Sequence, residues 1–334
     1  MLRKETNMIR IHGPAIDPSD LKGETRVGAC VFVEDDDYIL CIDGRFGTAA
    51  DRVVKRLDGR KKKKYLLLTH PHGDHAIGIE KEIDKNDDVA WLICQDPASF
   101  NKNYSDEAKG NVAMLERIIS KAKKKGIKVV YAKNGERFHI GSIEFVTYRD
   151  QPSSARNTET YINQGSLCVW LPHLRLLYTG DTGADCAEKY KLNPVVATGF
   201  HHGNWLAYQH AVNLKKRGCL YYWDDDYSTK MTDFLMTGRQ NAKRAGMTIF
   251  DLHGDLNIVA FNNKAILYKG GKLYRYDCSY ARSGSFKATT LTVVYDVLLG
   301  KYGSGDARVT KLLDDGFNPG SVQGWVNKFA GVVK

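Results

Sequence analysis

The sequence predicts a layered α/β fold followed by a small helical appendage. Three observations lead there. Through residue 150, short β-prone apolar runs alternate with segments of helical period. Several of those runs end abruptly in histidine or aspartate, and beyond residue 288 the apolar pattern turns purely helical.

Residues 26–33 and 38–43 read as two strands joined by the acidic turn Glu34-Asp35-Asp36-Asp37, with a helix at 49–57 after a loop. Residues 65–68 form a buried strand, 76–81 open a helix and 89–94 make the next strand. Ser105 is placed to cap a helix reaching about Lys124, with Ala108, Val112, Leu115, Ile118, Ile119 and Ala122 as its apolar stripe. Strands at 127–132, 137–140 and 143–148 are separated by Asn134-Gly135 and Gly141-Ser142 turns. Residues 165–171 and 174–179 form a hairpin around Pro172-His173, and 194–198 is a short strand.

The chain has 334 residues, enough for one large domain of about 200–250 residues and something smaller. Its 43% hydrophobic and 26% charged content is that of a globular protein, and no apolar run approaches the roughly 18 residues of a membrane span, so no membrane partner is expected. The opening Met1-Leu2-Arg3-Lys4-Glu5-Thr6-Asn7 lacks the apolar core of a signal peptide, so the expected location is the cytoplasm on synthesis, with release at lysis. Seven dispersed cysteines without a CxxC pair read as reduced, buried thiols. The net charge of +10 leans on residues 61–64 and on Lys121, Lys123, Lys124 and Lys125, which suit a polyanionic substrate or simply form solvated helix ends.

The most informative stretch is Leu66-Leu67-Leu68-Thr69-His70-Pro71-His72-Gly73-Asp74-His75. Imidazole and carboxylate suit zinc and its neighbours, and Pro71 and Gly73 block regular structure, so alternate side chains can converge on one point. The open ends of the hairpin at 165–179 lie side by side, which brings Asn163-Gln164 next to Gly180-Asp181. Asp181 is then placed as a carboxylate bridge; a helix cap near Ala184 is its alternative role. After the strand at 194–198 comes Gly199-Phe200-His201-His202-Gly203, of which one histidine can be a ligand while the other assists proton transfer or orients substrate.

His70-Pro71-His72-Gly73-Asp74-His75, Thr179-Gly180-Asp181 and Phe200-His201-His202-Gly203 together resemble the hydrolase branch of the metallo-β-lactamase fold, an αββα sandwich, over roughly residues 9–270. The branch with a terminal His-His-Gly includes the domain of DNA-uptake channels and phosphorylcholine esterases. The resemblance implies two divalent metal ions, zinc first, with manganese or iron as alternatives. His70 and His72 would hold one, Asp74 and His75 the second; Asp181 would bridge, and His201 or His202 would complete the set. It further implies catalytic roles for Asp74, which can orient the attacking water, and for His202. Many relatives carry another histidine where this chain has Tyr161-Ile162-Asn163-Gln164, which leaves one metal position weaker. The same resemblance outlines a helix to about 217, a strand at 219–223, a helix near 231–245 and strands around 248–250 and 256–261. Asp224, Asp225 and Asp226 read as a solvated turn and His253 as a turn residue.

The expected division is a hydrolase domain over 8–275, a linker over 276–288 including Arg282-Ser283-Gly284-Ser285, and a three-helix module over 289–334. In the module, Leu291, Val294, Tyr295 and Leu298, then Ala307, Val309, Leu312 and Leu313, then Val322, Trp325, Val326 and Phe329 form three apolar stripes. With Gly300, Gly303 and Gly305 at the first junction and Val322-Gln323-Gly324-Trp325-Val326-Asn327 near the end, the segment resembles the cell-wall-binding repeat of phage lysozymes. That resemblance implies peptidoglycan or a muropeptide as partner. The expected function is a metal-dependent hydrolase of a phosphoester or related bond in a wall-associated substrate; the alternatives are a nuclease and an inactive metal-binding or wall-binding protein.

Overall fold

The computed structural model describes residues 9–13, 27–35, 37–58, 61–100, 106–149, 159–183, 185–224, 233–251, 257–261, 264–269, 272–279, 293–294, 296–298, 300–315 and 317–329. In chain order the elements are β1 (Ile9–His12), β2 (Val31–Glu34), β3 (Tyr38–Ile42), α1 (Gly47–Asp58), β4 (Lys63–Leu67), α2 (Gly73–Lys85), β5 (Val89–Cys94), α3 (Asp106–Lys124) and β6 (Lys128–Tyr131). There follow β7 (Glu136–Ile140), β8 (Ile143–Arg149), α4 (Glu159–Gln164), β9 (Leu167–Leu171), β10 (Leu176–Tyr178), α5 (Cys186–Lys189), β11 (Val196–Thr198), α6 (Tyr208–Lys216), β12 (Tyr221–Asp224) and α7 (Asp233–Arg244). β13 (Thr248–Asp251), β14 (Asn257–Phe261), β15 (Lys264–Lys269) and β16 (Lys272–Asp277) complete the strands.

Two sheets form. One has nine strands in the order β16-β15-β14-β1-β2-β3-β4-β5-β6, the other seven in the order β13-β12-β11-β10-β9-β8-β7. Each has an antiparallel part and a parallel part: β3 to β6 run parallel in the first, β10 to β13 in the second. A parallel strand needs cover on both faces, and the sequence supplies it. In β3, Leu40 and Ile42 face the core between the sheets, while Ile39 and Cys41 face the opposite way, into the cluster filled by Val53 and Leu57 of α1 and Ile79 and Ile83 of α2. Ala211 and Leu214 of α6 and Ala242 of α7 cover the second sheet in the same manner, beside Leu177 and Ala197. The result is the four-layer αββα sandwich. All seven cysteines are buried and none is in a disulfide.

Several elements differ from the sequence reading. β1 was not anticipated; it closes the first sheet by pairing with both β2 and β14. α4, ahead of the hairpin, was not anticipated either, because six residues are too few to show a period, although Ile162 is fully buried beside Phe100 and Ala108. The sheet continues past Gly270-Gly271 through the β15–β16 pair, so the chain is still in a strand at Asp277, and Cys278 is packed into the core between the sheets. The boundary expected at 275 therefore cuts β16. Ser105, Asp225, Asp226, His253 and residues 280–288 lie outside the described residues.

The C-terminal segment has its own apolar cluster: Val293, Val294, Val297, Tyr302, Leu312, Val322 and Val326, with Leu298, Phe317 and Trp325 packed against it. Helical residues at 293–294 and 296–298 precede α8 (Gly305–Asp314) and α9 (Pro319–Phe329). α8 contributes Leu312 alone; Ala307, Val309 and Leu313, expected on its buried stripe, are exposed, because so small a core engages one narrow face of a ten-residue helix.

Candidate metal centre

The parallel strands of both sheets deliver their C-terminal ends to one place. Asp43 follows β3, Thr69 to His75 follow β4, Gln95 follows β5, Asp181 lies just beyond β10, and His201 and His202 lie just beyond β11. Ligand sites in open parallel sheets form at such strand ends.

Two groups of ligand atoms result, each with its atoms within 4.8 Å of one another: His70, His72 and Asp181; and Asp74, His75 and His202. All six residues are buried. His70 Nε2 lies 3.1 Å from His72 Nδ1 and 3.5 Å from Asp181 Oδ2. In the second group His202 Nε2 is 3.2 Å from Asp74 Oδ2 and 3.6 Å from Asp181 Oδ2. His75 Nε2 faces Asp181 Oδ1 at 3.2 Å, yet neither atom makes a hydrogen bond among the described residues; nor does His72 Nε2. Buried polar atoms without partners are costly, so converging nitrogens and oxygens left in this state fit divalent cations well. Asp181 touches both groups, and with Asp185 standing at the N-terminus of α5, Asp181 is not that helix's cap.

The electrostatics follow from crowding. Burial, then the neighbouring His70, push the His72 ring down to about 3, so it stays neutral and keeps its lone pair for a ligand. Burial also opposes charge on His75, but Asp181, Asp43 and Asp74 outweigh it and hold the ring well above the usual histidine range. Burial acts against the Asp181 carboxylate too; His202, His75 and His70 around it nevertheless keep it well below the usual range.

A supporting layer escaped the sequence reading. Asp43 accepts from the Thr69 backbone N–H at 2.9 Å, from Thr69 Oγ1 at 2.8 Å and from Tyr178 OH at 2.7 Å, and stands 2.8 Å from His75 Nδ1. A carboxylate on the far nitrogen of a ligating histidine fixes its tautomer and orientation. Ser166 Oγ and Thr69 Oγ1 each lie 3.1 Å from His70 Nδ1, and Ser166 Oγ also accepts from the Asp181 N–H at 3.2 Å. Gln95 Nε2 donates to the Thr69 carbonyl at 2.8 Å and the Gly165 carbonyl at 2.6 Å, tying the cradle to the start of the hairpin. The one available signal was positional: Asp43, like Asp181, ends an apolar strand beside a glycine.

His201 and His202 part ways. His202 is fully buried in the second group, whereas the side chain of His201 is 15% exposed, packs edge-on against Trp205 and reaches Asn163 Nδ2 at 3.2 Å and Asp181 Oδ2 at 3.8 Å. His173 sits at the hairpin turn, 41% exposed and paired with Glu144, away from the centre.

Residues 23–148 match the metallo-beta-lactamase superfamily and residues 292–329 match the CW_7 repeat. The chain carries a metallo-β-lactamase domain followed by a CW_7 cell-wall-binding repeat. No curated protein matches it in sequence. Among solved structures, the metallo-beta-lactamase fold protein YhfI from Bacillus subtilis is similar at TM-score 0.50 and 10% identity, over 81% of this chain and 100% of the other. CmlA, a diiron beta-hydroxylase from Streptomyces venezuelae, gives TM-score 0.44 and 13% identity over 70% and 53%. At 10% identity the likeness to YhfI is one of fold. The metallo-β-lactamase domain is thus metal-binding and hydrolase-type, with histidine and aspartate groups suited to divalent cations. Among the described residues no helix is long and apolar enough to cross a membrane.

Proposed function

We propose that this protein is a two-metal hydrolase acting on a phosphoester or related bond of a wall-associated substrate, brought to peptidoglycan by its CW_7 repeat. One observation carries the reading: two buried ligand groups share Asp181, and the chain continues into a wall-binding repeat. His70, His72 and Asp181 hold one cation, and Asp74, His75 and His202 with Asp181 hold the other. Bound there, two divalent cations supply Lewis acidity toward a substrate oxygen and toward water.

The chain's own side chains account for the rest. Asp43 and Ser166 orient the ligating rings, Asp74 positions water for attack, and His201, at the edge of the centre beside Trp205, is placed to hold a proton for the leaving group. The hydrolase unit is proposed to end near Cys278 and the wall-binding module to begin near residue 289. Synthesis in the cytoplasm with release at lysis belongs to the same proposal.

The lysine runs lend the nuclease reading only part of their charge. Lys121 pairs with Glu80 and Asp84, Lys125 with Asp87, Lys62 with Glu34, and Lys64 is buried against Glu82 and Asp88, while Lys61, Lys63, Lys123 and Lys124 are exposed.

The test screens the metal-loaded protein against wall fragments, single-stranded nucleic acid and bis(4-nitrophenyl) phosphate, with His72→Ala as control, alongside sedimentation of the full chain with purified sacculi. Phosphodiester hydrolysis lost in the variant, together with co-sedimentation, supports the reading. Activity that survives the substitution, or no sedimentation, overturns the corresponding half.

A further inference from the structure

Away from the metal centre, the described residues form a cleft of about 1010 Å³ along α3. On one side is the turn Asp96–Phe100 that follows β5; on the other is the flank of α3 that carries Val112, Glu116, Ile119, Lys123 and Lys124. That volume is at the top of the range for a pocket holding a small molecule, so a short polymer segment fits. The cleft begins next to the metal loop. Gln95, one residue before the turn, donates to the Thr69 carbonyl at 2.8 Å. Arg149 joins the two places as well: its Nε donates to the Gly165 carbonyl at 3.1 Å, and its guanidinium stands 5.1 Å over the Phe100 ring.

The charges of α3 are divided between its two flanks. Toward α2, Arg117 and Lys121 pair with Glu80, Lys121 also with Asp84, and Lys125 with Asp87 beyond the end of that helix. Toward the cleft, Glu116, Lys123 and Lys124 are exposed, and neither they nor Asp96 make an ion pair among the described residues. Two cations and two carboxylates thus line one cleft, over apolar surface from Phe100, Val112, Ile119 and Tyr131. A pure polyanion is poorly matched to it, because like charges brought together cost several kcal/mol. An extended chain that bears both signs is matched. Tyr131 belongs to β6, the last strand of the nine-stranded sheet, whose outer edge offers backbone donors and acceptors to a peptide.

We propose that this cleft is a second wall-contact site and that its occupant is the uncross-linked stem peptide of peptidoglycan. The carboxylates of the peptide face Lys123 and Lys124, the amine of its diamino residue faces Asp96 or Glu116, and its alanine methyls meet the apolar surface. The charge pattern selects a peptide, and the CW_7 repeat on the same chain selects the wall as its source, so the proposal rests on the wall-directed reading above. Two contacts on one chain hold the wall with avidity. A peptide in the cleft has one end beside the metal loop, which makes the bond that reaches the centre one carried close to a stem peptide.

The test irradiates the full-length protein with the synthetic peptide L-Ala-γ-D-Glu-L-Lys-D-Ala, carrying a diazirine at its N-terminus, and maps the adducts by mass spectrometry. Adducts within residues 96–100 and 112–131 are expected. Replacing Lys123→Glu together with Lys124→Glu should reduce them about tenfold, and acetylating the lysine of the peptide should reduce them several-fold. Both protein positions are exposed, so melting curves of the double variant should match those of the parent. Adducts confined to residues 292–329, adducts indifferent to both changes, or displacement of the peptide by single-stranded DNA at equal concentration overturn the inference. If the protein still sediments with sacculi in those cases, the wall-directed reading stands; a chain that neither sediments nor forms adducts loses both.

Discussion

The two halves of the candidate metal centre are held by different means. The half from the first sheet, His70 to His75, is fixed by hydrogen bonds: Asp43, Thr69 and Gln95 clamp the loop, and the candidate ligands Asp74 and His75 lie in the first turn of α2. The half from the second sheet is fixed by backbone. Phe200, His201 and His202 have φ of 59°, 53° and 53°, three successive residues with side chains in the left-handed region, where each costs about 1–2 kcal/mol. The turn persists because Phe200 N–H donates to Thr179 Oγ1 at 2.6 Å, Gly203 N–H to the Gly199 carbonyl at 2.9 Å, and the Phe200 ring is fully buried. The first half is thus held in a relaxed loop and the second in a strained turn that hydrogen bonds and packing keep in place, so the two respond to different perturbations.

That contrast can be broken or sharpened by measurement. Asp181→Asn, which removes the group common to both halves, should lower hydrolysis by about 10³-fold, or about 4 kcal/mol, and reduce bound metal; retention of both would mean that neither half depends on it. Next is Glu82, on the helix that carries Asp74 and His75. Burial pushes its carboxyl up to about 7, against the pull of Lys64. A raised folded value means that the unfolded chain ionises first, so stability falls as pH rises from about 4.5 through 7. Glu82→Gln should remove that fall, a difference of up to about 3 kcal/mol between pH 5 and 8 in denaturant titrations.

Tyr178→Phe probes the single hydroxyl by which β10 of the second sheet donates to Asp43 of the first-sheet clamp. Losing a buried hydrogen bond to a carboxylate should cost about 2 kcal/mol in unfolding free energy; no change would detach that clamp from the second sheet. The smallest effect is expected from His201→Gly, which relieves one left-handed residue and should raise stability by about 1 kcal/mol less the lost contact with Trp205. A fall in melting temperature would show that packing outweighs the strain.

The candidate ligand positions were easier to read, since His70 and Asp181 come just after the apolar strands β4 and β10, whereas the sequence left His201 and His202 as alternatives and only the burial of His202 beside Asp74 separates them. Asp43 was not legible. Its role arises where Thr69, His75 and Tyr178, from three separate elements, meet one carboxylate, and nothing in the local Asp-Gly pair records that meeting. The four layers could be read from β3, whose alternate residues serve two cores, yet β1 could not, since Ile9 to His12 gain their meaning from pairing with β14 at the far end of the domain. In the terminal module the periodic residues of α8 overstate what is buried, because a period shows which face is apolar and not whether anything is there to cover it.

The contact of Gly78 with Gly44 has a consequence for dimensional tolerance. A methyl group on Gly78 would stand 1.8 Å from the Gly44 carbonyl oxygen, and one on Gly44 would stand 2.4 Å from the Ile79 nitrogen. The helix therefore rests on the loop after β3 backbone to backbone, pinned by Gly44 N–H on the His75 carbonyl at 2.7 Å and Gly78 N–H on the Arg45 carbonyl at 3.2 Å. Any side chain there would lift α2 by an ångström or more, and Asp74 and His75 with it, while metal sites accept only a few tenths of an ångström in ligand position. Two residues with no functional group thus act as the gauge block of the centre, setting from one helical turn away the spacing at which its ligands meet.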